Sequence, residues 1–496
     1  MRHASRGILA VVVGWAMAQS PVAHATLGYF TLGYGAKSMG MAGAVVANPV
    51  DSLVASQNPA GMALVGERVD VGMRMFNPER KARLDTSVLN AGAAFGDPYD
   101  VHDKSRRNLF WIPDFGYNKK IGDDLWAGFT FYGNGGMSTT YDVNLYDQSA
   151  AVFGAIQFGI PSPPAPAPVP PGPGAAAFVP AGSTTGTPDT GTLGVELAQA
   201  ILAPSLSFKW REKHNFGVAL LVGIQRFSAR GLGNFQCFTK SGFNNNGAGA
   251  PGTACAPGGF GPLTPGFQPS DKLTNNNVDW SFGAGARIGW VGEIHPRVTL
   301  GATAQSKVYM SKFNEYSELF AEGGDLDIPA NYALGIAVKA TDKLKLAFDF
   351  ERIFYSGVNS ISNPGPVASP FGPALPPGGG LLGADNGLGF GWENINIYRI
   401  GAEYRHNKEW TFRAGYAYND QPIPDSQVLF NIVAPAVIKR HITAGFTYSP
   451  NASSEWTFAY MRALKETVST DQTAFGIPGS IEMYQNSVNV GYSYKF

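Results

Sequence analysis

Tyr484-Gln485-Asn486-Ser487-Val488-Asn489-Val490-Gly491-Tyr492-Ser493-Tyr494-Lys495-Phe496 closes the chain, and its side chains fall into two sets. Val488, Val490, Tyr492, Tyr494 and Phe496 hold the even positions; Asn489, Gly491, Ser493 and Lys495 hold the odd ones. Successive strand residues point to opposite faces, so this stretch is a strand with one face for lipid and one for a polar or narrow interior. The same period runs through Trp410, Phe412, Ala414, Tyr416 and Tyr418, and through Tyr398, Ile400, Ala402 and Tyr404. A soluble sandwich also alternates, but aromatic residues near strand ends and a terminal Phe fit a membrane barrel better.

Composition agrees. Of 496 residues 44% are hydrophobic, 12% aromatic and only 15% charged, with 37 basic and 37 acidic. Soluble domains carry about 25% charged residues, so much of this surface must be hidden or face lipid. No apolar run past the first twenty-odd residues approaches the roughly 20 that a spanning helix needs. The even charge balance gives no basic face for nucleic acid.

Arg2 and Arg6, the apolar run Ile8 to Ala18 and Ala23-His24-Ala25 have the form of a secretory signal peptide over 1–25, with the mature chain expected to start at Thr26. Fourteen alternating segments follow, from 67–76 and 108–118, through a third at 124–142, to 483–496, an even number as bacterial barrels require. Short turns such as Thr341-Asp342-Lys343 and His406-Asn407-Lys408 alternate with long connections at 143–197, 231–277 and 358–391. Short turns belong to the periplasmic side, which puts both ends of the barrel there. Pro161 to Pro173 is proline-rich and Asn244 to Gly261 glycine- and asparagine-rich. Cys237 and Cys255 lie in that second loop region; a disulfide is the favoured reading and two free thiols the alternative.

Residues 26–66 are too apolar and glycine-rich to stand in water, with Leu27, Tyr29, Phe30, Met39 and Met41 among them, so a hatch folded into the lumen of a 67–496 barrel is expected. The third segment breaks its alternation at Tyr132-Gly133-Asn134-Gly135-Gly136, where a bulge or kink is expected. Gly283, Gly285 and Gly289 read as inward-facing strand glycines rather than a nucleotide loop. No H-E-x-x-H, G-x-S-x-G or G-x-x-x-x-G-K-[ST] pattern occurs, and of seven His only His441 points inward by parity. No catalytic residue, metal or cofactor is therefore expected.

The stretch Gly40-Met41-Ala42-Gly43-Ala44 through Asn58-Pro59-Ala60-Gly61-Met62 resembles the hatch of the FadL/TodX (OMPP1) family of outer-membrane transporters, and Asn58-Pro59-Ala60 resembles its NPA motif. Tyr398-Arg399-Ile400-Gly401, Trp410 to Tyr416, and Asn419-Asp420-Gln421-Pro422-Ile423-Pro424 resemble the same family. The resemblance is weakest over 143–277. It implies passive, TonB-independent uptake of long-chain fatty acids or hydrocarbons through a plugged fourteen-stranded barrel, with lateral exit at Asn134, Gly135 and Gly136. A general diffusion porin and a structural or adhesin barrel are the alternatives. Phe30, Met39, Met41, Arg399 and Arg413 are the candidate ligand-binding residues; Arg405 and Lys339 are also inward by parity. The expected partners are the hydrophobic substrate, membrane lipid and lipopolysaccharide, and the assembly machinery reading Phe496, with the chain a monomer. Asn58-Pro59-Ala60 is expected to lie against the break at Asn134-Gly135-Gly136.

Overall fold

The computed structural model describes residues 26–85, 100–146, 191–241, 270–369 and 372–496. The signal-peptide stretch, Pro161 to Pro173, Asn244 to Gly261, and Cys255 with its expected disulfide lie outside the described residues.

Fourteen strands form the wall. They are β1 (Arg68–Asp85), β2 (Phe110–Lys120), β3 (Leu125–Ser138), β4 (Gly194–Trp210), β5 (His214–Arg230), β6 (Asp279–His295) and β7 (Val298–Gln305). The rest are β8 (Asn331–Lys339), β9 (Leu344–Ile353), β10 (Ile395–Arg405), β11 (Trp410–Asn419), β12 (Arg440–Tyr448), β13 (Ser454–Thr470) and β14 (Gly479–Lys495). All pairings are antiparallel, and β14 closes on β1 from Arg68 opposite Lys495 to Leu84 opposite Gly479.

Burial follows the sequence period. In β14, Val490 and Tyr494 face outward, 46% and 44% exposed, while Gln485, Ser487 and Asn489 are fully buried inside. Outward Ile288, Leu334, Ile400, Phe412, Ile442 and Trp456 continue that band round the barrel. An apolar belt of this extent has no place in water and fits a hydrocarbon layer. The first strand runs to Asp85, well past the expected 76. Its upper part, Asn77 to Asp85, is rich in charge and includes Pro78, so it shows no lipid-facing alternation; a short strand, Asp100–Lys104, and β14 pair with it there.

Residues 27–62 lie inside, almost all of them buried. Helix α1 (Gly35–Gly40) packs on β12, β13 and β14, and 3-10 turns follow at Ser52–Ser56 and Pro59–Gly61. Asp51 caps the first turn by accepting from Leu53 N at 3.0 Å, and Asn58 caps the second by accepting from Ala60 N at 3.2 Å. Pro59 sits at the first helical position, where its missing N–H costs nothing.

Candidate functional site: a plugged lumen and a break in the wall

The plug rests on bare backbone. Gly217, Gly289, Gly301, Gly335, Gly401 and Gly415 each lie a few residues from the short-turn end of their strands and form a belt inside the barrel. A Cβ on Gly289 would overlap Asn58 Oδ1, one on Gly301 or Gly335 would press on Val46 and Ala47, and one on Gly401 or Gly415 on Met41. Glycine here gives the plug backbone room to approach the wall. Asn58 is fully buried and its amide donates to Val46 O at 2.9 Å and Trp290 O at 3.1 Å, tying the plug to itself and to β6.

Asn58-Pro59-Ala60 therefore touches β5 and β6, through Gly217 and Gly289, and not the third strand as expected. The break in β3 is met instead by the start of the plug. Thr31 N donates to Asn134 O at 3.2 Å, Gly136 N donates to Tyr29 O at 3.1 Å, and Phe30 pairs with Gly135 as a single antiparallel bridge. The chain circles the lumen between the two contacts, a path with no local sequence signal.

The wall is incomplete at that place. Pairing of β2 with β3 runs from Lys120 opposite Trp126 to Asp114 opposite Tyr132 and stops. Backbone contact resumes only where Arg106 N donates to Thr140 O, at 3.0 Å. Between these limits β2 stays paired with β1, as far as Phe110 opposite Phe76, while the free side of β3 is taken by Tyr29 to Thr31. On its other side β3 slips register: Gly133 faces Ala200 and Gly135 faces Gln199, leaving Asn134 as the extra residue of a bulge. Asn134 is buried; it accepts from Tyr34 Oη at 3.2 Å and donates to Gln199 Oε1 at 3.1 Å.

A small cavity lies beside the plug. An internal cavity of about 20 Å³ is lined by Leu27, Phe30, Gln57, Arg287, Glu351 and Arg399, among others. That is space for about one water molecule. Of the five candidate ligand residues, Phe30 and Arg399 line this cavity; Met39, Met41 and Arg413 do not. Met41 packs between Gly401 and Gly415, Met39 is buried in the apolar cluster, and Arg413 is held by Glu403 at 2.7 Å. Arg405 and Lys339, inward by parity, are exposed because they lie beyond the plug at the short-turn rim. His441 is fully buried.

Charge inside the barrel is mostly paired. Lys37 of α1 meets Glu455 of β13, which also takes Lys495 and, at 3.2 Å, Arg68; Arg68 reaches Asp70 at 2.7 Å, and Arg399 pairs with Glu351. Buried ions without such partners cost several kcal/mol each, on the order of an entire domain's net stability when summed. Asp51, at the foot of the plug, is pushed up to about 7 by burial and by the nearby carboxylate of Asp70.

Above the plug the lumen turns apolar. Tyr29 stacks on Phe30 at 5.3 Å between centroids and meets Tyr355 and Trp392 at 5.6 and 5.9 Å. Tyr355 Oη donates to Leu27 O at 2.6 Å. The segment Val428 to Ile438, between β11 and β12, is folded into this mouth: Thr139, Tyr141 and Tyr146 donate to the carbonyls of Val433, Ile432 and Leu429 at 2.7, 3.0 and 2.8 Å. Sequence reasoning passed over these residues, although an apolar run in a connection between strands is itself a signal of burial.

The sequence from 182 to 496 matches the family described as outer membrane protein transport protein (OMPP1/FadL/TodX). No curated protein sequence matches. Among solved structures, the P. putida toluene transporter TodX is 18% identical with a TM-score of 0.59, covering 94% of this chain and 99% of its own. A Pseudomonas aeruginosa FadL homologue is 16% identical with a TM-score of 0.59, covering 95% and 100%. The Ralstonia pickettii toluene transporter TbuX is 18% identical with a TM-score of 0.54, covering 94% and 99%. At these identities the likeness is one of fold.

Proposed function

The chain belongs to the OMPP1/FadL/TodX family of outer membrane transport proteins, and from that membership we propose that it takes up long-chain fatty acids or hydrocarbons passively, with lateral exit beside Asn134, Gly135 and Gly136. The observation that carries this reading is the window between β2 and β3, whose missing strand partner is supplied by Tyr29 to Thr31 of the plug. Release of those residues frees the edge of β3 and opens the space beneath the apolar mouth in one movement. An apolar cargo gains roughly 0.8 kcal/mol per buried CH₂ on leaving water, so the Tyr355, Trp392 and Val428 to Ile438 region is suited to collecting it. The cavity beside the plug, at about 20 Å³, is far smaller than an apolar cargo, so passage through it requires the plug to move.

In this reading 1–25 is a signal peptide, 26–66 the hatch and 67–496 the barrel. One chain closes the wall, so a monomer suffices. The long connections face outward toward lipopolysaccharide, Phe496 is read during assembly, and the protein is no enzyme.

The test is a reversible tether. Thr31 and Asn134 lie at adjoining backbone positions, so Thr31→Cys with Asn134→Cys should form a disulfide that pins the plug to β3. Uptake of a labelled hydrophobic compound, normalised to folded surface protein, should fall in the oxidised variant and return on reduction. Full uptake with the tether in place removes the lateral exit.

A further inference from the structure

Three buried arginines of the barrel and the half-buried Arg226 are matched to a carboxylate: Arg68 to Asp70 and Glu455, Arg226 to Glu196, Arg399 to Glu351, and Arg413 to Glu403. Arg74 has no ion pair among the described residues but donates to Thr31 and, at 2.6 Å, to Gly33 O, and Arg287 donates to Gln305. Arg80 leaves the most of its guanidinium unpartnered. It points inward from the upper part of β1 and is 2% exposed. Its Nη1 donates to Ser138 O at the end of β3, and its guanidinium carbon stands 5.7 Å from the centre of the Phe110 ring at the top of β2. It thus spans the window. Among the described residues its Nε and Nη2 have no hydrogen-bond partner, where Arg226, Arg287 and Arg399 each leave only Nε without one.

Nε and Nη2 form the edge of a guanidinium that grips a carboxylate with two parallel hydrogen bonds. The ionisable groups acting on Arg80 do not fill that edge. Glu79, on the other face of the strand, pairs with Lys104 and accepts from Asn108 at 3.2 Å; Tyr141 donates to Ile432 O; Arg107 is cationic and pairs with Glu196 at 2.9 Å. The side chains beside it, Phe76, Ala82, Phe110 and Tyr141, belong to the apolar cluster. A fixed charge whose binding edge is buried and unpartnered, set among apolar side chains, matches a molecule with one carboxylate and an apolar body once the window opens.

We propose that Arg80 is a head-group site for organic monocarboxylates at the wall opening, so that the cargo is an acid anion rather than a neutral hydrocarbon. This rests on the lateral-exit reading above. The apolar body would lie along Phe76 and Phe110 while the carboxylate meets Nε and Nη2, and the head group would let go as Ser138 moves with the opening edge of β3.

The experiment compares decanoate with methyl decanoate, which share a chain and differ in charge, on purified full-length protein. Arg80→Gln should weaken decanoate binding roughly ten- to a hundred-fold, in line with a lost hydrogen bond to a charged group, and leave methyl decanoate within about twofold. Arg80→Lys, which keeps the charge and loses the fork, should fall between. Equal losses for both compounds, or none for either, overturn the site. Should Arg80→Gln not fold, carbon-13 resonance of carboxyl-labelled decanoate on the unaltered protein decides: the bound carboxyl should stay ionised at pH values where free decanoate is protonated, and titration at the free acid's pH overturns the proposal. Uptake by cells separates the two readings. If neither compound enters, the transport reading fails; if the ester enters as readily as the acid, both in cells carrying the parent protein and in cells carrying R80Q, only the head-group site fails.

Discussion

At the level of the glycine belt the wall is complete without the plug: β8 pairs with β9 from Asn331 opposite Ile353 to Lys339 opposite Lys345, and β10 with β11 from Ile397 opposite Asn419 to Arg405 opposite Thr411. Farther up β3 from its short-turn end, the wall is incomplete, and Tyr29 to Thr31 stand in for a strand. The same segment of chain is cargo for the wall in one place and part of it in the other. Packing against bare glycine backbone holds the plug through shape, which tolerates little added volume. Two backbone hydrogen bonds at the window hold it through groups that any strand edge offers, and such groups exchange partners easily. The belt should therefore decide whether the lumen is shut, and the window whether the wall is.

The largest effect should come from crowding the belt. Gly401→Leu with Gly415→Leu places two side chains where Met41 and Ala42 lie. Overpacking costs roughly 1–3 kcal/mol at each site, and expulsion of the plug relieves it. Planar bilayers should then show steady ion conductance that the parent lacks. A closed barrel with both leucines in place would mean that the wall, not the plug, gives way.

A smaller and different effect is expected at the window. A side chain on Gly135 would meet Tyr29 O, so Gly135→Val should dislodge residues 29–31 while the belt keeps the rest of the plug docked. Uptake of a labelled hydrophobic compound should change several-fold with no steady conductance. Conductance equal to that of the belt variant would erase the distinction between the two regions.

The sequence spoke clearly where a solvent imposed its demands. Lipid requires an apolar side chain at every second position, so Val488 to Phe496 and Trp410 to Tyr418 could be read directly. The glycines at 133, 135 and 136 announced the bulge because a regular wall cannot pack without side chains. Beyond the lipid the signal changes: Asn77 to Asp85 has Lys81 and Arg83 outward and Ala82 and Leu84 inward, a strand without an apolar outer face, held by β14 and by the strand Asp100–Lys104. The contact of Asn58 with Gly289 was not legible either. The bend at Pro59 is local, but which strand it meets depends on the path of all the preceding plug residues round the lumen, which only the packed structure fixes. Parity gave Arg399 its inward direction and gave Lys339 the same direction, and nothing in the sequence marked the height at which the plug ends.

Charge at the foot of the plug allows a finer cut. Lys37→Met removes one of three cations from Glu455 and leaves Arg68 and Lys495. The loss should stay below the roughly 3–5 kcal/mol of a buried pair broken outright. Hydrogen exchange of the α1 amides should quicken, while exchange at Asn134 to Gly136 should not. Equal quickening at both would show that the plug moves as one body.

The smallest effect is one of pH, and it too separates belt from window. Asp51 accepts from Leu53 N and is raised to about 7 by burial and by the carboxylate of Asp70, which Arg68 and Ser52 hold in place. A carboxyl raised in the docked plug binds its proton more tightly there than in a released plug, where it titrates near 4. Its contribution to docking is therefore fully present below about pH 4 and is lost as the pH rises through about 7. Exchange of the Ser52 to Ser56 amides should be slower at pH 6 than at pH 8, beyond the intrinsic pH dependence of exchange. Asp51→Asn keeps an oxygen for Leu53 N and has nothing to ionise, so its difference should vanish. At the window Tyr29 and Thr31 meet β3 through backbone groups, which do not titrate. Exchange there should follow only the intrinsic dependence. Loosening of Ser52 to Ser56 toward acid would reverse the sign and place Asp51 in its ionised form, stabilised by Arg68 and Lys37, in the docked plug.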